Sequence, residues 1–393
     1  MFDNIIGQDQ AVGRLIDDIQ SNALPHSVLF FGEPYSGKST AALECARVLS
    51  CEYSTKAEWG CQCPSCVRQR VLLDSDTLMM GPRYFLQEIK GTAEVFRRMD
   101  ETFSRYMVIR SVRKLLRRFD PVLWDGEEQK IKKVQGQLES VTDMLSEIEP
   151  GEAPLDDAVR ERFVKALTDA CAKITSGANL SHIPIHQIRN ATFWAHTSGQ
   201  GRKKILILEG AETMLEGARN ALLKILEEPP QNVYFILLTS NKGAIIQTIQ
   251  SRVRPYGFAS RSDGAQGQVL ERIFREPSKD FRSLREYFYA FDFSLDVLNN
   301  EIEDFLSKAM DPDGLPFDGS ALNIVQNKEA FFPFLEGLAG RFSMLLRDSD
   351  DTRLLARIEK WTAEMNRLKT AVESYNQNHY LLVEKLFYYI RNA

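Results

Sequence analysis

SVLFFGEPYSGKSTAALECARVLS, residues Ser27–Ser50, decides the reading of this chain. An apolar run stops at Gly32, and the nine residues GEPYSGKST (Gly32–Thr40) fit the phosphate-binding pattern G-x-x-x-x-G-K-[ST]. Ala, Leu and Ala then recur at helical spacing. A phosphate cradle needs this strand–loop–helix order. Gly32 and Gly37 let the backbone wrap close to an anion, and its N–H groups point inward at the positive end of the helix. Lys38 would reach the terminal phosphates, while Ser39, with Thr40 beside it, would hold a magnesium ion. ATP with magnesium is the ligand this pattern predicts.

Two further apolar runs extend the pattern. KKILILEG (residues 203–210) ends in Glu209, an acid at a strand's carboxyl end and well placed to hold magnesium, often through water. VYFILLTSN (residues 233–241) ends in Thr239, Ser240 and Asn241, polar groups able to sense a terminal phosphate. Strands alternating with helices predict a parallel α/β sheet with its ligand at the strands' carboxyl ends. The length of 393 residues predicts two or three domains, and a net charge of -5 argues against bulk electrostatic coating of nucleic acid. The N-terminus lacks a signal-peptide pattern, and the apolar runs fall short of the ~20 residues a bilayer needs. A cytoplasmic protein with no membrane contact is expected.

Four of the six cysteines cluster as C-x9-C-x-C-x2-C: Cys51, Cys61, Cys63 and Cys66. In a reducing compartment four thiolates so spaced suit a structural zinc ion, with Cys63 and Cys66 as the tight knuckle. Reduced thiols in a loop are the plain alternative. Residues 80–180 read as long amphipathic helices inserted in the core and projecting from it. Arg110, Arg113, Lys114, Arg117 and Arg118 form a basic stripe there, expected to be a solvated face paired with nearby acids, with DNA phosphates as the alternative.

FDNIIGQDQAVGRLIDDIQSNALPHSVLFFGEPYSGKST (residues 2–40), GARNALLKILEEPPQNVYFILLTSN (217–241) and IIQTIQSRV (245–253) together resemble the bacterial DNA polymerase III clamp-loader ATPases of the AAA+ class. The resemblance covers residues 1–80 and 180–260 and lapses between. It implies a P-loop core over 1–255 that contains a zinc module (51–66) and the helical insertion. A helical lid (256–292) and an all-α collar for oligomerisation (293–393) would follow. Position by position, it implies that Arg252 is an arginine finger reaching a neighbouring subunit's nucleotide. Thr239 would be the first sensor and Arg285, without the usual preceding glycine, the second. Glu209 falls where the family has its magnesium acid, and Gly210 where active members have the catalytic glutamate. Glu212, two residues on, would project in a different direction.

A finger kept and a base lost resemble the delta-prime type of subunit. Such a chain binds ATP and hydrolyses it poorly. Its partners would be gamma/tau-type and delta-type subunits in a heteropentamer, the sliding clamp, and primer–template DNA through the complex. The alternatives are an active gamma-type ATPase and a non-replicative AAA+ interaction protein.

Overall fold

The computed structural model describes residues 1–53, 58–197, 202–277, 281, 283–319, 322, 330–348, 351–375 and 377–392. It divides into two units, Met1–Leu284 and Arg285–Ala393.

The first unit is built on five parallel strands: β1 (Ser27–Phe31), β2 (Thr77–Met80), β3 (Lys204–Leu208), β4 (Val233–Thr239) and β5 (Arg254–Gly257). They lie in the order β2-β3-β4-β1-β5. β1, β3 and β4 are the three runs read from the sequence. Their near-continuous apolar character follows from burial on both faces, as parallel sheets require. β2 (TLMM) and β5 (RPYG) were not foreseen. β5 runs past residue 255, where the core was expected to give way to a lid. Pro255 is tolerated because β5 is an edge strand, paired with β1 alone.

Strand residues alternate between two cores. Val28, Phe30, Ile205, Ile207, Ile236 and Leu238 pack with the helices α1 (Asp9–Gln20) and α2 (Lys38–Leu49) on one face. Leu29, Leu78, Met80, Leu206, Leu208, Phe235 and Leu237 face the other way.

That second core includes the helices between β2 and β3. The long ones are α3 (Phe85–Arg98), α4 (Thr102–Leu116), α5 (Gln135–Glu147), α6 (Asp157–Gly177) and α7 (Ile185–His196). Val108, Ile109, Val112 and Leu115 of α4, with Leu167 and Ile174 of α6, join one continuous apolar cluster with Leu78 and Met80 of β2. The helical segment is therefore the third layer of the core and does not project from it. The basic stripe is corrected with it. Arg113, Lys114 and Arg118 are buried. Arg110 donates to the Arg70 carbonyl at 2.6 Å, Arg113 to that of Val71 at 3.0 Å, and Arg117 to that of Asp74 at 3.1 Å. These side chains satisfy carbonyls of the chain that leads into β2. The stripe is thus largely buried instead of solvated, while the expected pairing with acids is present: Arg113 with Glu149, Lys114 with Glu88, Arg117 with Asp120 and Arg118 with Glu209.

The second unit is helical, with helices at Leu295–Met310, Phe331–Asp348, Thr352–Tyr375 and His379–Asn392. Phe305, Phe331, Phe334, Phe342, Trp361, Leu386 and Phe387 fill its separate core, so the phenylalanines around 331–334 include core residues. Among the described residues, no helix is long and apolar enough to cross a membrane.

Candidate nucleotide site

The loop after β1 has the geometry of a phosphate cradle. Gly32 has φ +151°, and a Cβ there would lie 2.2 Å from the Phe258 carbonyl oxygen. Gly37, left-handed at φ 98°, turns the chain into α2. Lys38 is folded onto the loop and donates to the carbonyls of Gly32 (2.5 Å) and Glu33 (2.6 Å) and to the Ser36 hydroxyl (3.2 Å). Burial lowers its ammonium to about 8, against the upward pull of Glu212 and Glu209. Thr40 is exposed in the first turn of α2. The Gly32 N–H donates to the Thr239 carbonyl at 3.3 Å, so Thr239 adjoins the loop; its hydroxyl donates to Asn241 O at 3.0 Å.

Glu209 follows β3 and is 3% exposed. The Ser39 hydroxyl donates to its Oε1, so Ser39 and Glu209 meet as expected. Their surroundings were not expected. Arg83 Nη1 lies 2.5 Å from Ser39 Oγ and 2.7 Å from Glu209 Oε1, and Arg118 pairs with the other carboxylate oxygen. Burial alone would push the Glu209 carboxyl up, but Arg83 and Arg118, with the Ser39 hydroxyl, outweigh it and hold it below its ordinary value. Arg83 also pairs with Glu88 at 2.7 Å, and Lys114 pairs with Glu88 from α4. Glu88 is held down at about 2: its burial is overcome by Arg83 and Lys114.

Magnesium does not fit this arrangement. It demands oxygen ligands at about 2.0–2.1 Å in octahedral array, and both oxygens of Glu209 and the hydroxyl of Ser39 already face guanidinium groups. The loop itself keeps the glycines that a phosphate-binding turn requires, at Gly32 and Gly37.

Gly210 has φ +60°, and a Cβ there would lie 2.7 Å from Pro82 Cγ. Gly210, the position the resemblance assigns to the base of active members, carries no side chain. Glu212 is turned toward Ser240, whose N–H (3.1 Å) and hydroxyl (2.7 Å) both donate to its Oε1. Its Oε2 is buried with no hydrogen-bond partner among the described residues, and its charge reaches Lys38. Tyr35 of the loop packs against Tyr84, with ring centroids 4.4 Å apart. Arg261 braces it from below, donating to Ile6 O at 3.0 Å and also to Tyr35 O.

The sequence reading missed Arg83, Tyr84, Arg118 and Arg261. GPRYF (residues 81–85) follows β2 at its carboxyl end, where a parallel sheet builds its site. Recognising TLMM as a strand would have pointed to Arg83.

Arg252 lies elsewhere. It precedes β5, whose Arg254 pairs beside Val28 near the start of β1, while the P-loop follows Phe31 at that strand's end. The two therefore sit at opposite ends of the sheet. Arg252 donates to Glu227 Oε1 at 2.5 Å and to Thr248 O at 2.7 Å. Arg285 belongs to the second unit, where it pairs with Glu336.

The four cysteine sulfurs of Cys51, Cys61, Cys63 and Cys66 all lie within 4.8 Å of one another. Tetrahedral zinc with Zn–S bonds of ~2.3 Å separates its sulfurs by ~3.8 Å, and Cys51 and Cys61 stand at 3.8 Å. The cluster is compatible with zinc. Residues 54–57 of the module lie outside the described residues. Trp59 packs the module onto the core, with Arg47 and Arg110 both lying over its ring.

Fold and loop together define a P-loop α/β nucleotide-binding core. A family model described as DNA polymerase III, delta subunit, matches residues 7–120 and 127–262. The chain belongs to that family. The matched range takes in much of the helical segment, where resemblance was expected to lapse. The chain is 42% identical over 71 residues to a DNA polymerase III subunit delta' of Buchnera aphidicola, covering 18% of this chain and 21% of that one. It is 35% identical over 85 residues to the Haemophilus influenzae subunit delta', covering 21% and 26%. It is also 33% identical over 87 residues to the Mycobacterium tuberculosis subunit gamma/tau, covering 22% and 15%. These alignments span about a quarter or less of the relatives' lengths. A gamma subunit-related protein from Thermotoga maritima aligns in structure at 20% identity and a TM-score of 0.29, over 54% of this chain and 80% of that one.

Proposed function

We propose that the chain is a delta-prime-like subunit of a bacterial, cytoplasmic DNA polymerase III clamp loader. It assembles with gamma/tau-type and delta-type subunits and helps load the sliding clamp on primed DNA. It holds a nucleotide at Lys38 and the P-loop with little hydrolysis, and lends Arg252 to a neighbouring motor subunit. Thr239 contacts the terminal phosphate. The cysteine module carries a structural zinc ion, and the C-terminal helices form the collar.

The observation that carries this reading is Gly210, left-handed beneath Pro82 at the catalytic glutamate's position. General-base assistance is worth about 10²–10⁴-fold, and glycine supplies none. The position of Arg252 at the far end of the sheet from its own P-loop supports action in trans. The family match favours a polymerase subunit over a non-replicative role.

The test is single-turnover ATP hydrolysis by the chain alone and in an assembly with partner subunits. Little turnover alone is expected, with a fall of about 10³-fold or more at the adjoining motor site in Arg252→Ala. Glu212, close to Lys38 with one carboxylate oxygen unpartnered, favours a second reading as a gamma-type ATPase. Brisk turnover by the isolated chain that Glu212→Gln abolishes would decide for it.

A further inference from the structure

The nucleotide reading above leaves open what neutralises the phosphates in a site that magnesium does not fit. We propose that Arg83 and Arg118 take the place of the divalent cation, so that this P-loop binds a nucleoside polyphosphate without a metal ion.

The geometry is specific. Arg83 Nη1 bridges Ser39 Oγ (2.5 Å) and Glu209 Oε1 (2.7 Å), the two groups that would otherwise share the ion. Arg118 holds Oε2 and is fixed in turn by Gly81 O, which accepts from its Nε at 3.0 Å. Two guanidinium groups together carry the formal charge of one divalent ion.

Neither arginine is a surface side chain that fell inward. Their side chains are 8% and 1% exposed. Arg83 lies over the Tyr84 ring at 4.7 Å and is held by Glu88; Arg118 lies over Phe85 at 5.1 Å. Both come from the segment between β2 and β3, so the same residues that cover the sheet also complete the site. Arginine suits the role because its planar fork stays protonated and matches phosphate oxygens as well as carboxylate. Arg83 Nη1 stands at Ser39 in the first turn of α2, with Lys38 close by. A phosphate entering the cradle meets a fixed cation there instead of a hydrated metal.

The experiment titrates ADP into the full chain in excess magnesium and again in EDTA, with Mn²⁺ spin resonance to count ions bound at ADP saturation. Equal Kd in both buffers, within about twofold, and no bound Mn²⁺ are expected. In Arg83→Gln, affinity in EDTA should fall at least tenfold and be partly regained with magnesium. A role confined to packing the segment would not create that metal dependence. Tenfold or greater tightening of ADP by magnesium in the parent, or one Mn²⁺ per nucleotide, overturns the proposal while leaving the nucleotide-holding reading intact. Absence of ADP binding in both buffers overturns both. Unchanged EDTA binding in Arg83→Gln also overturns it, and the parent comparison stands even if that variant does not fold.

Discussion

Replacing Gly210 by alanine probes the contact between the helical segment and the magnesium-type strand. The residue has φ +60°, and left-handed backbone costs an L-residue about 1–2 kcal/mol. The new Cβ would also sit 2.7 Å from Pro82 Cγ and 3.1 Å from its Cδ, a contact that forces the loop to shift. Overpacking of this kind costs about 1–3 kcal/mol. Gly210→Ala should therefore destabilise the first unit by roughly 2–5 kcal/mol. Hydrogen exchange at the β1 and β3 amides reads that unit separately from the C-terminal helices, and protection should fall by a factor of about 30 to several thousand. Adding Pro82→Ala removes the clashing carbons and should restore the steric share but not the backbone share. A loss below ~0.5 kcal/mol, or no relief from the second substitution, would refute the reasoning. By the same geometry Gly210→Glu should not restore hydrolysis, because the side chain that would act as base has no seat beside Pro82.

Glu209→Ala would leave Arg118 buried without a carboxylate and Arg83 with Glu88 alone, a change expected to cost about 3–5 kcal/mol in urea unfolding. Glu88 lies at about 2 when folded, below its ordinary 4.5, so its contribution is present above about pH 4.5 and lost as pH falls toward 2. Stability should therefore decline less steeply between pH 5 and 3 in Glu88→Gln than in the parent, as acid-unfolding midpoints would record. Metal analysis should find one zinc per chain, and Cys63→Ser should release it and lower the thermal midpoint. Charge reversal at Arg117 should weaken folding and leave DNA binding by an assembled complex unchanged among molecules that fold, because its guanidinium is spent on the Asp74 and Thr77 carbonyls.

The P-loop and three of the five strands were legible in the sequence because each depends on residues close together in the chain; the meeting of Ser39 with Glu209, 170 residues apart, was legible because a parallel sheet gathers its ligand groups at the strands' carboxyl ends. β2 and β5 were not, being four residues each, one rich in methionine and the other holding proline and glycine. The basic stripe was misread for a different reason. A run of charges on a helix is ordinarily solvated, and its burial here depends on carbonyls some 40 residues away in sequence, at Arg70, Val71 and Asp74. Arg83 and Arg118 were hidden likewise: their partner Glu209 is separated from them by 126 and 91 residues. Local pattern cannot announce a pairing that only the closed sheet creates.

The register that sets Arg252 and the P-loop at opposite ends of one sheet also gives the chain a direction. If the arginine meets a neighbour's phosphates, contacts between such chains are heterologous, each head against the next tail. A member with a working finger and a disabled site can finish such a row but cannot pass catalysis onward. Its asymmetry would then mark where the assembly stops.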